Sequence, residues 1–297
     1  MREPIPYVVA DFACHTGERP MWHAAERRLY WTDIPTGRLF TYDPATGASA
    51  QVYAGRPVGG FTIQADGSLL LFMDRGTVAV WRDGRIERVV IDEVPEELDS
   101  RFNDVIADPA GRVFCGTMSV KDDAGNIARF GRLYRLDTDG SLHKLVEGVG
   151  TSNGMGFTLD RRTFYHTDTR VRTIYKYDYD QKDGAIINRR PFIEVPASPT
   201  NARPDGLAVD AVGDLWSAQW DGGCVVHYGA DGVERGRIAL PTAKVSCPTF
   251  GGDDYSQLYI TTAGGDQRTV EDSQAGALFR VDGVGPGAPD CLSRVGL

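Results

Sequence analysis

Hydrophobic residues recur along the chain in short runs, each of which follows a turn. The runs begin at residues 29, 69, 113, 164, 215 and 258, so the steps between them are 40, 44, 51, 51 and 43 residues. A pattern that returns at such steps predicts repetition of one structural unit. The six runs begin Leu29-Tyr30-Trp31, Leu69-Leu70-Leu71, Val113-Phe114-Cys115, Phe164-Tyr165-His166, Leu215-Trp216-Ser217 and Leu258-Tyr259-Ile260.

Each run is followed by a second segment in which apolar and polar residues alternate. These segments cover residues 37–43, 76–81, 131–137, 173–178, 223–228 and 276–282. Alternation at period two is typical of a half-buried strand. The turns between strands contain Asp-Gly pairs such as Asp83-Gly84 and Asp139-Gly140, which tolerate the positive φ of tight hairpins. A further strand candidate, such as residues 85–90, gives four antiparallel strands per unit. The best helical candidate is short, at residues 93–100.

Six units of four strands predict an all-β fold, a six-bladed β-propeller that occupies residues 1–297 as a single domain. The ring must close, because an open first or last sheet exposes an edge strand that invites aggregation. Residues 6–12 belong to no repeat, so we expect them to pair with the last blade. The alternative, two stacked β-sandwiches, does not explain six copies in phase.

Composition and charge indicate the cellular compartment and disfavour some classes of binding partner. The chain has 41% hydrophobic and 25% charged residues and a net charge of −9, which disfavours nucleic acid and anionic membranes as partners. Five scattered cysteines without a C-x-x-C pair fit free, buried thiols. No signal peptide or membrane span is recognisable. We expect a cytoplasmic protein, as a monomer or weak homodimer.

The first strand of every propeller blade lines the central channel, so the residue at its start points towards the axis. About ten residues before the six runs stand Glu18, Gly59, Asn103, Asn153, Asp205 and Pro248. Four of these are oxygen donors. Carboxylates that share a channel repel each other unless a cation or protons neutralise them. The alternative interpretation of Glu18, Asn153 and Asp205 is as turn residues beside glycine.

Oxygen donors that include two carboxylates are typical of a hard divalent cation, Ca²⁺ above all, with Mg²⁺ or Mn²⁺ as alternatives. None of the five histidines occupies a channel position, which disfavours a closed zinc site. His166 lies on an inner strand, where a hydrogen-bonded core histidine is expected.

Several short motifs, in order along the chain, resemble the regucalcin (senescence marker protein)/gluconolactonase family of six-bladed propeller lactonases. Each motif alone is weak, but the ordered set is specific. The matching pieces are Gly17-Glu18-Arg19-Pro20-Met21-Trp22, Arg101-Phe102-Asn103-Asp104, Gly116-Thr117-Met118, Ser152-Asn153-Gly154, Pro204-Asp205-Gly206 and Cys247-Pro248-Thr249-Phe250-Gly251-Gly252.

The resemblance implies roles for individual residues. Glu18, Asn153 and Asp205 would bind one divalent metal ion, with Ca²⁺ favoured and Mn²⁺, Zn²⁺, Mg²⁺ or Fe²⁺ as alternatives. Arg101 and Asn103 would hold the sugar lactone, and Asp205 would also act as the general base. Four of these residues are the oxygen donors that repeat spacing alone places at the starts of inner strands. The alternative interpretation of Arg101 is a surface ion pair with Asp99 or Asp104.

Two departures from the family pattern affect specificity. The family motif usually reads Gly-Glu-Gly-Pro, whereas Arg19 replaces the second glycine here; either the loop has changed or a positive charge is added near the channel mouth. Some relatives carry a sugar-contacting acid shortly after Gly-Thr-Met, where this chain has Lys121, so Lys121 is a candidate substrate-binding residue. Residues 119–130 are long for a hairpin loop, and their alternatives are a lid or a flexible insertion.

The sequence therefore predicts a metal-dependent hydrolase that opens an aldonolactone to its aldonic acid in sugar catabolism. The metal and Asp205 would polarise the carbonyl and activate water, and Arg101 suits paired hydrogen bonds to hydroxyls or the product carboxylate. One alternative on the same scaffold is a phosphotriesterase or arylesterase, as in diisopropyl-fluorophosphatase and paraoxonase. Another is a non-catalytic Ca²⁺-binding propeller.

Overall fold

The computed structural model describes residues 5–270 and 272–297, and in them it forms six four-stranded sheets and one two-stranded hairpin. Expectations for residues 1–4 and 271 lie outside the described residues. The strands, numbered in chain order, are β1 (Tyr7–Asp11), β2 (Gly17–His23), β3 (Arg28–Asp33), β4 (Arg38–Asp43), β5 (Ala48–Ala54), β6 (Val58–Ile63), β7 (Leu69–Met73), β8 (Val78–Arg82), β9 (Arg85–Ile91), β10 (Phe102–Ala107), β11 (Val113–Thr117), β12 (Val120–Lys121) and β13 (Ile127–Arg129). The remaining strands are β14 (Gly131–Leu136), β15 (Leu142–Val149), β16 (Ser152–Phe157), β17 (Thr163–Asp168), β18 (Thr173–Asp180), β19 (Ala185–Glu194), β20 (Arg203–Val209), β21 (Leu215–Trp220), β22 (Cys224–Tyr228), β23 (Glu234–Ala239), β24 (Val245–Gly251), β25 (Gln257–Thr262) and β26 (Ala277–Asp282).

The six four-stranded sheets are the blades of a six-bladed β-propeller, which confirms the predicted fold class. In chain order the blades are β2–β5, β6–β9, β10-β11-β14-β15, β16–β19, β20–β23 and β24–β26 with β1. The helical candidate at residues 93–100 contains only a 3₁₀ turn, Pro95–Glu97, and a second one is Gly265–Gln267. None of the helices in the described residues is long and apolar enough to span a membrane.

The chain divides into two compact units of three blades each. Unit one contains the chain up to Gly55 together with Val195–Asp290, and therefore blades one, five and six. Unit two contains Arg56–Glu194 and Cys291–Leu297, and therefore blades two, three and four. That the whole chain is a single domain stays a prediction.

Burial falls from the first strand of a blade to the fourth. Every residue of β2, β6, β10, β16 and β24 is buried, whereas most residues of β5 and β9 are exposed. The apolar runs of the sequence form β3, β7, β11, β17, β21 and β25, which supply the aromatic core of each unit. In unit two, for example, Phe72 and Phe102 pack edge to face with ring centroids 5.3 Å apart.

The alternating segments are more deeply buried than their pattern predicts. Four of the six residues of β4 and four of the five of β8 are buried, so these strands are not half-buried. Buried polar side chains next to these strands still find partners; the Thr32 hydroxyl of β3, for example, donates to the Arg38 carbonyl of β4 over 3.2 Å. A sheet that is covered on both faces buries its polar positions as well as its apolar ones.

Two terminal segments bind to blades inside their own units. In unit one, β1 pairs with β26, where Tyr7 lies opposite Arg280 and Asp11 opposite Ala277. This is the pairing that the sequence predicted for residues 6–12, with the strand itself restricted to Tyr7–Asp11. In unit two, the backbone N–H of Ser293 donates to Ile63 O over 2.9 Å, a contact that the sequence did not predict.

All five cysteines are free thiols, which confirms that part of the sequence analysis. Cys14, Cys115, Cys224 and Cys247 are buried, and Cys291 is half-buried. Burial raises the pKa of the Cys14 thiol to about 12, so this side chain stays protonated and unreactive at neutral pH.

Candidate active site

A β-bulge interrupts the first strand of every blade at the level of the candidate residues. The register with the second strand shifts after Glu18, Val58, Phe102, Asn153, Pro204 and Val245. A bulge leaves one or two residues outside the ladder and redirects their side chains, and bulges are common beside active sites. The residues in equivalent register at the six bulges are Glu18, Gly59, Asn103, Asn153, Asp205 and Ser246.

The sixth of these positions corrects the sequence analysis, which placed Pro248 there. Pro248 pairs with Ile260 beyond the bulge, and Ser246 lies within it. In blade six five paired residues, Cys247–Gly251, separate the bulge from the turn, whereas in blade five only Leu207–Val209 do so. Counting back from the apolar run therefore gave the wrong residue in this blade.

In unit two, three predicted site residues form one line of hydrogen bonds. Arg101 Nη1 donates to Asn103 Oδ1 over 2.7 Å, and Asn103 Nδ2 donates to Asn153 Oδ1 over 2.6 Å. Asn153 Nδ2 in turn donates to Thr169 Oγ1 over 2.8 Å. Both amides are 6% exposed, and Arg101 is half-buried. The structure thus joins Arg101, Asn103 and Asn153 through side-chain contacts, while Asp99, an alternative partner for Arg101, contacts Arg129.

Beneath this line lie Ser152 and His166, which the sequence analysis treated as core or motif residues. Ser152 Oγ and His166 Nε2 are 2.8 Å apart, and both residues are fully buried. Burial, together with the charge of Arg189, lowers the pKa of His166 from 6.5 to about 3. The imidazole is therefore neutral at physiological pH, as expected for a hydrogen-bonded core histidine.

In unit one, Glu18 is a buried carboxylate that is 7% exposed. The backbone N–H of Arg19 donates to Glu18 Oε2 over 3.0 Å. Arg19 itself has a φ of +47°, in the left-handed region that favours glycine, and is only 6% exposed. The backbone therefore has a positive φ here although the residue is arginine and not glycine. The arginine is also buried and does not extend from the surface.

Asp205 is the second buried carboxylate of unit one, with 3% of its surface exposed. The glycine after it allows β20 and β24 to approach closely, because a Cβ at Gly206 would lie 2.6 Å from Cys247 Cα. On the far side of β24, Ser246 Oγ donates to the carbonyl of Gly17 over 2.6 Å. The residue before Glu18 and the residue after Asp205 are thus both fixed against β24.

Lys121 lies in a two-stranded hairpin, β12–β13, inserted between β11 and β14, and its side chain is exposed. The turn is closed by Asp122, whose Oδ1 accepts from the backbone N–H groups of Ala124 and Asn126. The insertion at residues 119–130 is therefore an ordered hairpin. That Lys121 contacts substrate stays a prediction.

A separate cluster of possible metal ligands lies at the turn between β20 and β21. Ligand atoms of Asp210, Asp214 and His227 lie within 4.8 Å of one another. These groups already bind each other and their surroundings: His227 Nε2 is 2.9 Å from Asp214 Oδ2, and Trp216 Nε1 donates to Asp210 Oδ2 over 3.0 Å. The cluster fits a structural role, because the carboxylates also accept from backbone N–H groups of the turns, Asp210 from Val212 and Asp214, and Asp214 from Ala230.

Residues 16–264 match the protein-family model described as the SMP-30/Gluconolactonase/LRE-like region. The chain belongs to this family. Pentonolactonase XacC of Haloferax volcanii is 52% identical over 298 residues, which cover 97% of this chain and 98% of the relative. The 6-deoxy-6-sulfogluconolactonase of Pseudomonas putida is 34% identical over 247 residues, which cover 83% of each chain.

A solved structure agrees on the fold. A calcium-binding protein, regucalcin, from Agrobacterium tumefaciens superposes with a TM-score of 0.85 at 24% identity, covering 97% of each chain. The predicted family is confirmed by the family model and by the two curated relatives. The relatives also confirm that the chain is an enzyme of the lactonase type, a carboxylic-ester hydrolase.

Proposed function

We propose that the enzyme hydrolyses a sugar lactone, an aldonolactone, to the open-chain aldonic acid, and that it depends on one divalent cation. The observation that carries this proposal is the hydrogen-bonded line of Arg101, Asn103 and Asn153 at the bulges of neighbouring blades. Such a line offers the guanidinium group of Arg101 and two side-chain amides to a substrate that carries hydroxyls. An apolar phosphotriester or aryl ester carries no hydroxyl groups that could bind to this line.

Among aldonolactones, we propose a five-carbon lactone as the preferred substrate. The support is the 52% identity to a protein named pentonolactonase over nearly the whole chain. The relative named for a sulfonated six-carbon lactone is more distant, at 34% identity. We therefore place pentonolactones before hexonolactones, in a pathway of sugar catabolism.

For the cation we propose Glu18, Asn153 and Asp205 as ligands, with Ca²⁺ favoured and Mn²⁺, Zn²⁺, Mg²⁺ or Fe²⁺ as alternatives. The donor set fits a hard cation, because it consists of two carboxylates and an amide oxygen, all buried. When bound, such an ion polarises a carbonyl and stabilises negative charge on oxygen.

The chain's own groups account for binding and proton transfer. Arg101 donates to hydroxyls of the bound lactone and then to the carboxylate that forms, while Asn103 orients the ring. Asp205 accepts a proton from the water that attacks the carbonyl carbon. The bond between the carbonyl carbon and the ring oxygen breaks, and that oxygen takes up a proton to become the free hydroxyl of the acid.

The first experiment measures acid release from a panel of pentono- and hexonolactones with chelator-treated protein. The protein is then supplied in turn with Ca²⁺, Mn²⁺, Zn²⁺, Mg²⁺ and Fe²⁺. We expect turnover only after metal is restored, with a pentonolactone as the best substrate. Metal binding without turnover of any lactone would favour a non-catalytic binding protein, and turnover of phosphotriesters alone would favour the other hydrolase.

Substitution of Asp205 tests the proposed general base and ligand. Asp205→Asn keeps the shape of the side chain but removes its charge, and we expect kcat to fall by about 10²–10⁴-fold and metal affinity to fall with it. The matched control is Asp214→Asn in the same blade, which should retain both. Unchanged turnover in Asp205→Asn would refute the assignment of Asp205.

Substitution of Arg101 tests the proposed substrate contact. Arg101→Ala should raise KM for the lactone while the metal content of the protein stays full.

We also propose that the enzyme works in the cytoplasm. The support is the set of five free thiols, four of them buried, which suits a reducing compartment. Fractionation of the native cells with antibody detection would test this, and recovery from the extracellular medium would contradict it.

A further inference from the structure

A buried serine and histidine lie directly behind the amide pair of blades three and four. Ser152 and His166 are 0% and 1% exposed, so neither side chain can meet a substrate. Their contact, 2.8 Å between Ser152 Oγ and His166 Nε2, joins the first and second strands of blade four. The proposed chemistry uses neither residue.

The backbone of Ser152 is part of the site. Its carbonyl oxygen accepts a hydrogen bond of 2.8 Å from Asn103 Nδ2, and the same nitrogen donates to Asn153 Oδ1. Asn103 Nδ2 has two hydrogens, and both are therefore directed by residues 152 and 153. With its nitrogen fixed in this way, Asn103 presents its oxygen to Arg101 Nη1. The orientation of the Asn103 amide thus depends on where the Ser152 backbone is held.

The Ser152 side chain has little freedom to move. A Cβ on Gly116 would overlap Ser152 Oγ, so the hydroxyl lies against the bare Cα of that glycine in β11. His166 closes the other side. Since the imidazole is neutral, its contact with Ser152 does not change between pH 5 and pH 8.

The tautomer of His166 follows from its second nitrogen. Within residues 5–270 and 272–297, His166 Nδ1 is buried and has no hydrogen-bond partner. A buried N–H without an acceptor is rarer in proteins than an acceptor without a donor. The proton is therefore placed on Nε2, which donates to Ser152 Oγ.

We propose that His166 is a positioning residue that, through Ser152, fixes the amide of Asn103 in the orientation required for lactone binding. The effect on turnover rests on the proposed function, whereas the effect on the Asn103 amide does not. The competing explanation is that His166 only fills the core of blade four beside Phe164 and Tyr177, whose rings lie 6.3 and 6.4 Å from its own.

The test compares His166→Leu, which removes the donor, with His166→Gln, whose amide nitrogen can reach the position of Nε2. We expect His166→Leu to lower kcat/KM roughly fivefold, as for one lost buried hydrogen bond, chiefly through KM. His166→Gln should restore most of this loss. The matched control is Tyr177→Phe, which removes a buried hydroxyl that also has no partner in the described residues and should leave kcat and KM unchanged.

A second readout is independent of turnover. The side-chain NH₂ resonances of Asn103, assigned with an Asn103→Asp variant, should shift in His166→Leu and return towards their wild-type positions in His166→Gln. If His166→Leu does not fold, Ser152→Ala removes the same hydrogen bond and should give the same rise in KM and the same shift of resonances.

The outcomes separate the two proposals. Wild-type KM and wild-type Asn103 resonances in His166→Leu, with stability alone reduced, would overturn the positioning role and leave a core residue. If the wild-type protein opens no lactone, the proposed function fails. The resonances then still decide whether His166 orients Asn103.

Discussion

Arg19 combines a left-handed backbone with a buried charged side chain directly beside a proposed metal ligand. Its φ of +47° costs a residue with a Cβ about 1–2 kcal/mol relative to ordinary conformations. The same conformation directs its backbone N–H to Glu18 Oε2. Non-glycine residues in this region cluster at functional sites, where the surrounding structure enforces them. The bulge of blade one therefore orients Glu18 at the expense of strain at Arg19.

This strain predicts an inverted order of two substitutions. In an ordinary strand, alanine is more stable than glycine by roughly 0.5–1 kcal/mol, but at Arg19 we expect Arg19→Gly to be more stable than Arg19→Ala by about 1 kcal/mol. Urea unfolding of both variants measures the difference. The control pair is Arg235→Gly and Arg235→Ala on the exposed strand β23, where alanine should be the more stable. If the alanine variant were the more stable at both positions, the backbone at Arg19 would not be strained.

The identity of the site residues and their positions on the strands could be predicted from the sequence, but their side-chain contacts could not. Repeat spacing located Asn103 and Asn153, yet it contained nothing about the hydrogen bond between their side chains, which depends on rotamers and on the approach of two blades. Spacing also led to Pro248 in place of Ser246, because the distance from bulge to turn differs in blade six. The departure at Arg19 was visible in the sequence, but its conformation and burial were not.

At the scale of elements, strands were predictable because apolar runs and turn residues recur together. Burial was not, because the pattern along one strand does not reveal whether both faces of its sheet are covered. The insertion after β11 shows the same limit. Its length and polarity left a lid and a flexible insertion as alternatives, and neither foretold the hairpin β12–β13, which is attached through Arg129 to Asp99 and to the buried Glu97. That this hairpin covers the channel mouth as a lid stays a prediction.

Arg129 is expected to hold this hairpin. Its guanidinium contacts Asp99 and lies 3.5 Å from Glu97 Oε2, while Arg132 and Tyr134 donate to Oε1 of the same carboxylate. In Arg129→Gln we expect backbone amides of residues 120–129 to exchange with solvent roughly threefold faster, as for loss of a partly exposed ion pair. Hydrogen–deuterium exchange with mass spectrometry measures this rate.

The matched control for the hairpin is Lys144→Gln, which removes an exposed ion pair with Glu147 on β15, in the blade from which the hairpin extends. Exchange in residues 120–129 should be unaffected in this variant. Equal exchange in Arg129→Gln and the wild type would show that the hairpin is held by its own turn at Asp122 instead.

At the scale of the molecule, repetition made the six blades predictable, and the leftover N-terminal strand made the β1–β26 pairing predictable. The C-terminal segment was not, because residues 291–297 repeat nothing and have no strand pattern. In unit two this segment contacts two blades. Ser293 bonds to the backbone at Ile63 in blade two, and the backbone N–H of Arg294 donates to Gly111 O at the turn of blade three over 2.9 Å.

Val295 makes this segment part of the core of unit two. Its side chain is 0% exposed and packs in the cluster that contains Phe72 and Phe102, and its backbone N–H donates to Gln64 Oε1 over 3.0 Å. Val295→Ala removes two buried methyl groups, so we expect the free energy of unfolding to fall by about 2 kcal/mol. The matched control is Leu297→Ala two residues later, which is 60% exposed and should change stability by less than about 0.5 kcal/mol. Equal urea midpoints for the two variants would mean that the C-terminal segment rests on the blades without contributing to their stability. A lower midpoint for Val295→Ala alone would show that the segment contributes to the core of unit two.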